Sequence, residues 1–581
     1  GQCCLHTRLD FDLETHAGIA TFRAFINEAA DLVVRYGGSF SGEHGDGQAR
    51  AELLPKMYGA ELVKAFNEFK HIWDADDMMN PGKVVAPYRI DENLRLGTDY
   101  NPHPVSTYFQ FPDDEGSFAR ATLRCVGVGK CRRMEGGTMC PSYMVTREEA
   151  DSTRGRAHLL FEMLQGNPLE QGWRSEHIKE ALDLCLACKG CKGDCPVNVD
   201  MATYKAEFLA HYYAGRLRPR SAYAMGLIYW WARLAALLPG VANILTHAPL
   251  LGSLAKRAAG VAPQRRMPTF APRTFKQWFQ KRPARNQDRP RVILWPDTFN
   301  NYLLPTTAMA AVEVLEAAGF QVSVPQRSLC CGRPLYDYGF LDLAKRLLRQ
   351  ILDTLGPELE AGTCLVVLEP SCASVLRDEL RNLFPHDPHA KRLAASTYLL
   401  SEFLAKHAPH YTLPRLARKA IVHGHCHHKA IMKMRAEQQV LTKLDVDFEM
   451  LDAGCCGMAG AFGFEKDHFE VSLKIGERVL LPSVRQAAPE TLVVVDGFSC
   501  REQIAQTTSR RGLHLAQVIH MAMQAQQRDK TEAYPESAYL KRMEKQLRRS
   551  HNTTTSALLI GVVVAVLLRW LWKYRENDGH I

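Results

Sequence analysis

The cysteine spacing between residues 185 and 195 constrains this 581-residue chain more than any other feature. The stretch DLCLACKGCKGDCPVNVD places Cys185, Cys188, Cys191 and Cys195 in a C-x2-C-x2-C-x3-C-P pattern. Gaps of two residues let one tight loop direct three sulfurs at the corners of an iron–sulfur cubane, while the fourth cysteine reaches a neighbouring cluster. The spacing therefore predicts a loop folded around a metal cluster in a chain that carries electrons.

A second cysteine run lies upstream, where RCVGVGKCRRMEGGTMCPSY also ends in Cys-Pro. Paired runs of this kind are typical of a two-cluster ferredoxin, in which each run lends its last cysteine to the other cluster. A structural zinc site or a redox CxxC pair has no use for such crossing. We expect two ligand sets: Cys140 with Cys185, Cys188 and Cys191, and Cys195 with Cys125 and Cys131.

The first run departs from the pattern at Val128, which stands where its middle cysteine belongs. Only three thiolates then remain for that cluster. Two alternatives stay open: a [3Fe–4S] cluster, or a [4Fe–4S] cluster with a non-cysteine fourth ligand. At this position the chain resembles the iron–sulfur subunits of respiratory succinate dehydrogenase and fumarate reductase, which also have an apolar residue there.

An α/β domain is predicted for residues 290–522. It is duplicated as 290–410 and 415–522, because both the CCG motif and a later Ser-Cys recur. Strand-like runs (RVILWP, CLVVLEP, KAIVHGHC, TLVVVDGF) alternate with amphipathic helices. Adjacent cysteines suit an unusual cluster or a redox thiol pair, and the glycines that follow let backbone amides approach sulfur. The candidate ligands are Cys330, Cys331 and Cys372 in the first copy, where Asn is aligned with the missing cysteine, and Cys426, Cys455, Cys456 and Cys500 in the second.

Composition and hydrophobic patterning indicate the redox environment of the chain and its remaining domains. Seventeen cysteines without a signal peptide indicate a reducing compartment, and a net charge of +9 in scattered clusters does not imply a nucleic-acid partner. The predicted fold is multidomain α/β and α+β: an α+β segment at 1–90, a helical two-cluster domain at 116–215 and an apolar helical connector at 219–270. Helices are expected at Ala17–Tyr36 and Gly59–Asp74. The opening residues read as the middle of a domain, so we expect the downstream part of a larger or split protein.

The GEHGDG…NPGK pattern near the N-terminus, the paired ferredoxin runs and the duplicated CCG domain together resemble the large FAD-linked oxidases fused to iron–sulfur and cysteine-rich modules. The resemblance implies oxidation of D-2-hydroxyglutarate or D-lactate to the 2-oxo acid, with FAD and [4Fe–4S] clusters as cofactors and a membrane quinone as the expected acceptor. The iron–sulfur half alone is similar to the glycolate oxidase iron–sulfur subunit, the anaerobic glycerol-3-phosphate dehydrogenase C subunit and the heterodisulfide reductase B and C subunits. A non-catalytic electron-transfer subunit and a CCG-centred disulfide reductase therefore remain alternatives.

The same resemblance assigns roles near the N-terminus. His6 and Glu43 would bind a divalent metal such as zinc, and His44 would take the hydroxyl proton, a task that suits imidazole. Three further residues would contact substrate or cofactor: Arg8 would pair the substrate carboxylate, and Asn80 and Lys83 would approach the flavin. In the family the FAD pyrophosphate-binding domain lies upstream, so a separate FAD-binding polypeptide is also an expected partner.

Two apolar segments raise the question of a membrane. The first, 553–574, has near-spanning length and aromatic residues at one end, and it follows a basic run. It predicts a single-pass C-terminal anchor that holds the protein at the cytoplasmic face of the inner (plasma) membrane. The second, Ala222–Val241, contains Arg233 and Pro239 and favours a helix lying on the membrane or between domains.

Overall fold

A computed structural model describes residues 4–7, 9–166, 171–524 and 533–549, and the chain divides into two compact units, Gly1–His103 and Pro104–Ile581. The first unit is helical in its described residues. Both long helices predicted there are confirmed, and two short helices lie between them: α1 His16–Arg35, α2 Gly47–Ala51, α3 Leu54–Tyr58 and α4 Ala60–Trp73.

The turn between α1 and α2 depends on glycine. Gly42, Gly45 and Gly47 all have positive φ, between 54° and 77°, which side chains with a Cβ rarely adopt. Across the unit, Arg23 of α1 donates hydrogen bonds to Glu52 (3.1 Å) and Asp91 (2.9 Å). These bonds hold α1 against the residue that follows α2 and against the segment around Asp91.

The second unit begins with a helical layer around the two cysteine runs. Pro141 starts a helix directly after Cys140, where its fixed φ suits the first turn, and the Ser152 hydroxyl caps another by accepting from Gly155 N–H. The Tyr204 hydroxyl donates to the carbonyl of Ala121 at 2.6 Å. The helices are α5 Phe118–Leu123, α6 Pro141–Thr146, α7 Thr153–Gln165, α8 Glu176–Asp183, α9 Gly190–Asp194 and α10 Met201–Tyr212.

The apolar connector begins with a π-helical turn at Ala222–Gly226 and continues with α11 Ile228–Ala235, α12 Pro239–His247 and α13 Pro249–Ala259. After the connector comes α14 Phe275–Gln280. Pro239 opens α12 and therefore breaks the run, as expected. Across the described ranges, no single helix combines the length and apolar character needed to cross a bilayer; α11 and α12 reach both only together, with a bend of 117° between them. The predicted anchor at 553–574 lies outside the described residues.

Two small parallel sheets confirm the duplication. Their strand orders are β2-β1-β3-β4 and β6-β5-β7, so β1, β2 and β3 correspond to β5, β6 and β7. The strands are β1 Arg291–Leu294, β2 Gln321–Ser323, β3 Cys364–Val367, β4 Thr397–Leu399, β5 Lys419–Val422, β6 Asp447–Met450 and β7 Leu492–Val494. Strands β1, β3, β5 and β7 come from the four predicted runs.

Helices cover both sheets and bury their apolar faces against them. In the first copy they are α15 Thr298–Tyr302, α16 Pro305–Ala317, α17 Arg333–Tyr336, α18 Leu341–Glu360, α19 Pro370–Ser374, α20 Leu380–Leu383, α21 Pro388–Ser396 and α22 Leu400–His407. The second copy has α23 Arg435–Lys443, α24 Phe469–Glu477, α25 Leu480–Gln486, α26 Phe498–Thr507 and α27 Leu515–Gln524, and α28 Pro535–Arg549 follows.

A buried ion network ties the downstream cysteine loop to the first copy. Lys189, whose side chain is fully buried, lies 2.9 Å from Asp200, 2.5 Å from Asp378 and 3.3 Å from Glu379. Burial alone would lower the pKa of Lys189, but these carboxylates raise it well above its usual value. The charged ammonium is therefore kept, and it links the loop to the first copy.

Replacing Lys189 with Met should destabilise the second unit strongly. The variant removes the fully buried cation and leaves Asp200 and Asp378 with the partly exposed Lys192 alone. Breaking a buried pair costs about 3–5 kcal/mol. We expect the apparent Tm of the anaerobic protein to fall by several degrees. Lys391→Met, at an exposed position of α21, is the matched control, and an equal Tm for both variants would contradict the assigned role.

Candidate functional site

The structure brings the ferredoxin-type cysteines together in the crossed arrangement. One cavity is lined by Cys140, Cys185, Cys188 and Cys191, and another by Cys125, Cys131 and Cys195. Met139 and Thr153 line both cavities, so the two sites are neighbours. Every one of these cysteines is a free thiol. Converging free thiols form the donor set that an iron–sulfur cluster needs.

Burial and fixed donors shape this environment. Burial raises the pKa of the Cys131, Cys188 and Cys191 thiols, so a bound metal is what would make them thiolates. Arg156, fully buried, directs Nη1 at Cys140 Sγ over 3.5 Å. A cation held beside a cluster ligand stabilises the more negative, reduced state of the cluster. Sequence patterns did not single out Arg156, because an arginine inside a helix carries no spacing signal.

Val128 lies on the wall of the upstream cavity, between Cys125 and Cys131. It is 40% exposed, and no further cysteine lines this cavity. Three sulfurs are therefore what the described residues offer here. The Arg154 backbone N–H approaches Cys131 Sγ at 3.4 Å.

In the second CCG copy four cysteines converge at the carboxyl ends of the parallel strands. Cys426 follows β5, the Cys455–Cys456 pair follows β6, and Cys500 follows β7, and all four are buried. Hydrogen bonding with Cys455 lowers the pKa of Cys426 to about 6, and hydrogen bonding with Cys455 and Cys500 lowers that of Cys456 well below its usual value. His423, which the sequence did not single out, has a ring nitrogen within 4.8 Å of the Cys456 and Cys500 sulfurs.

The first copy repeats this geometry with fewer sulfurs. Cys331 Sγ lies 2.9 Å from Cys372 Sγ, and Cys330 adjoins them. The prediction that Asn is aligned with Cys426 is wrong. The backbone N–H of Trp295 donates to the Val366 carbonyl as the backbone N–H of His423 donates to the Val494 carbonyl. With this register, Thr298 takes the place of Cys426. Strand register is set by backbone hydrogen bonds. Residue spacing left the alignment of this loop open, because CCG recurs after 125 residues and Ser-Cys after 128.

The glycine of each CCG has the predicted effect on its cysteines. Gly332 N–H points to Cys330 Sγ and Gly457 N–H to Cys455 Sγ, both at 3.4 Å. Both glycines have positive φ, 78° and 85°, and a Cβ on Gly457 would come within 2.1 Å of the Ser472 carbonyl oxygen. Amide hydrogens that face sulfur stabilise the thiolate form.

One cysteine loop contacts both copies of the repeat. The carbonyl oxygen of Ala187 accepts hydrogen bonds from Arg333 of the first copy (3.2 Å) and His427 of the second (3.0 Å). Cys188 of this loop shares an apolar cluster with Cys426 and Cys455. The downstream ferredoxin-type site therefore adjoins the four-cysteine site of the second copy.

The first unit carries a separate polar cluster on the glycine turn. His6 Nε2 lies 3.1 Å from Glu43 Oε1, and His44 Nε2 lies 4.0 Å from the same oxygen. All three side chains are solvent-accessible, and their ligand atoms lie close enough to hold one metal ion. Lys83 Nζ donates to Gln48 at 3.0 Å, and Asn80 adopts a positive φ of 49°. Arg8 lies outside the described residues.

Comparison with known proteins matches these parts one by one. Residues 1–84 match the C-terminal domain of FAD linked oxidases, 121–199 the 4Fe-4S dicluster domain, and both 298–377 and 422–505 the cysteine-rich domain. The chain carries all three domains on one polypeptide. This combination confirms the resemblance drawn from the motifs and supports [4Fe–4S] clusters and FAD as cofactors.

Similarity along most of this chain points the same way. The chain is 26% identical over 573 residues to a D-2-hydroxyglutarate dehydrogenase of Pantoea ananatis and 24% identical over 569 residues to one of Escherichia coli, with 89% of this chain and 54% of each relative covered. It is 27% identical over 292 residues to the anaerobic glycerol-3-phosphate dehydrogenase C subunit of Escherichia coli, covering 49% of this chain and 72% of that protein. The chain thus spans about half the length of the dehydrogenases it matches.

Adding the absent thiol should stabilise the upstream cluster. Val128→Cys places a fourth sulfur beside the cavity of Cys125, Cys131 and Cys195, so we expect slower loss of iron on exposure to air. Iron per chain, measured over time, checks this. Leu217→Cys, 88% exposed and outside the lining of both cysteine cavities, should behave as wild type. Equal rates of iron loss in all three proteins would contradict the three-sulfur site.

Proposed function

We propose that this chain takes part in the FAD-dependent oxidation of a D-2-hydroxy acid, D-2-hydroxyglutarate or D-lactate, to the 2-oxo acid. The observation that carries the proposal is the continuous series of thiol sites in the second unit. The upstream and downstream ferredoxin-type sites share cavity walls, and the downstream site adjoins the second CCG copy. Bound FAD would supply a two-electron acceptor, and the clusters would supply one-electron carriers.

The residues of the first unit would prepare the substrate. His6 and Glu43 offer a nitrogen and an oxygen 3.1 Å apart, a donor set that suits a divalent metal such as zinc. A metal held there would orient the hydroxy acid and make its hydroxyl more acidic. His44, on the same turn, would take the hydroxyl proton, and Arg8 would pair the carboxylate. Asn80 and Lys83 would face the flavin.

The deciding experiment is a visible absorption spectrum of the anaerobically purified protein before and after adding either hydroxy acid. A flavin band that bleaches with one of them supports the dehydrogenase and identifies its substrate. Full cluster content without flavin, and no response to either acid, would instead favour an electron-transfer subunit that serves a separate FAD-binding polypeptide.

Substitutions on the glycine turn should separate proton transfer from metal binding. His44→Gln in the FAD-containing enzyme should lower kcat by about 10²–10⁴-fold while the metal stays bound, because a positioned base is lost. His6→Gln should lower metal content as well as the rate. His71→Gln, at an exposed position of α4, serves as the control for both, and metal loss in His44→Gln would make His44 a ligand rather than the base.

We further propose that electrons leave to a quinone at a membrane surface. The connector carries exposed apolar side chains on successive helices, among them Trp231, Leu234, Leu250 and Leu254. Such a ridge beside basic residues is typical of a segment that enters the interfacial region of a membrane. The anchor proposed at 553–574, and with it a place on the cytoplasmic face of the inner membrane, has its support in the sequence alone.

Charge placed on this ridge should weaken membrane binding. The double variant Leu250→Asp, Leu254→Asp removes two exposed leucines from α13, so binding to anionic phospholipid vesicles should fall about ten-fold or more. Ile72→Asp, 74% exposed in the first unit, is the control. Undiminished vesicle binding by the double variant would contradict the proposal.

A further inference from the structure

His423 is a buried histidine whose ring engages sulfur rather than nitrogen or oxygen. It lies directly after β5 with 2% of its surface exposed. Among the described residues neither ring nitrogen has a nitrogen or oxygen partner, and the group that engages the ring is the Cys456 sulfur. Buried polar atoms in folded proteins are normally satisfied by a hydrogen bond or another ligand. An imidazole held in this state has a lone pair to offer to another group.

The ring faces sulfur. One ring nitrogen of His423 and the sulfurs of Cys456 and Cys500 all lie within 4.8 Å of one another. Cys455 adjoins Cys456 and is hydrogen-bonded to Cys426, so the remaining two sulfurs lie at the same place. Four sulfurs and one nitrogen therefore converge at the carboxyl edge of one sheet.

The first copy has different residues at the positions equivalent to His423 and Cys426. Trp295 occupies the register position of His423, and Thr298 that of Cys426. The Trp295 ring is fully buried, and its indole N–H has no acceptor among the described residues. An indole N–H cannot ligate a metal. The two copies thus differ by one nitrogen donor and one sulfur donor, both on the loop that follows the first strand of the copy.

We propose that His423 is a nitrogen ligand of the iron–sulfur cluster held by the second copy, together with Cys426, Cys455, Cys456 and Cys500. The proposal rests on the proposed function in one respect, namely that these thiols hold a cluster. A neutral imidazole adds a ligand without adding negative charge, and clusters with imidazole ligands have higher reduction potentials than clusters held by thiolates alone. The second copy would then be an electron sink beside the downstream ferredoxin-type site, with the Cys188–Cys426 contact between them.

Pulsed EPR on the reduced full-length chain tests this ligand directly. Protein grown with ¹⁵N-histidine should show the hyperfine coupling of a directly bound nitrogen. His423→Cys should abolish that coupling, keep the iron content and lower the reduction potential, because thiolate replaces imidazole. His514→Gln is the matched control, since His514 is equally buried in the second copy but bonds the Leu368 carbonyl; it should keep the nitrogen coupling.

A second variant distinguishes failure of the ligand from failure of its premise. Cys455→Ser, Cys456→Ser should lose the iron of this site. If that variant keeps wild-type iron, the second copy holds no cluster, and both the cluster assignment and the proposal are wrong. If it loses iron while His423→Cys retains the full histidine coupling, the cluster stands and only the role of His423 is overturned.

Discussion

The second unit depends on one short loop whose main-chain carbonyl is shared between the two copies of the repeat. The Ala187 carbonyl accepts hydrogen bonds from Arg333 of the first copy and from His427 of the second. Two residues further on, the charge of Lys189 is neutralised by carboxylates that include Asp378 of the first copy. A loop that holds a cluster must be rigid, because ligand positions decide the metal geometry. Here the rigidity comes from ion pairs and hydrogen bonds between the loop and the two copies of the repeat. The same contacts therefore hold the loop against the repeat and fix the positions of the cluster ligands.

This constraint also orders the redox sites. The crossed ligands, Cys140 and Cys195, make the two ferredoxin-type cavities share a wall, and the Ala187 contacts place the downstream cavity against the second copy. Polar atoms that approach sulfur recur along this path, from Arg156 at Cys140 to Gly457 at Cys455. Each favours the thiolate form or the reduced state, so the protein tunes every site through its immediate neighbours.

Duplication has produced two sites that are alike in backbone and different in chemistry. Both sheets direct their strand ends at a CCG turn, yet the second copy presents His423 and Cys426 where the first presents Trp295 and Thr298. Parallel sheets bind ligands at the carboxyl ends of their strands, and loops there change without cost to the core. The first copy has instead become a docking partner, through Arg333 and Glu379, for the cluster loop.

The sequence by itself determined the features that are local. Two-residue cysteine gaps define a cluster loop, continuous apolar runs define the central strands, and the CCG repeats reveal the duplication. The edge strands β2, β4 and β6 escaped prediction because they are short and partly exposed. Only the tertiary structure decided that Thr298 replaces a cysteine, that Lys189 is buried among carboxylates, and that His423 meets Cys456 and Cys500. These facts join segments far apart in the chain, and strand register and helix packing, rather than residue spacing, bring them into contact.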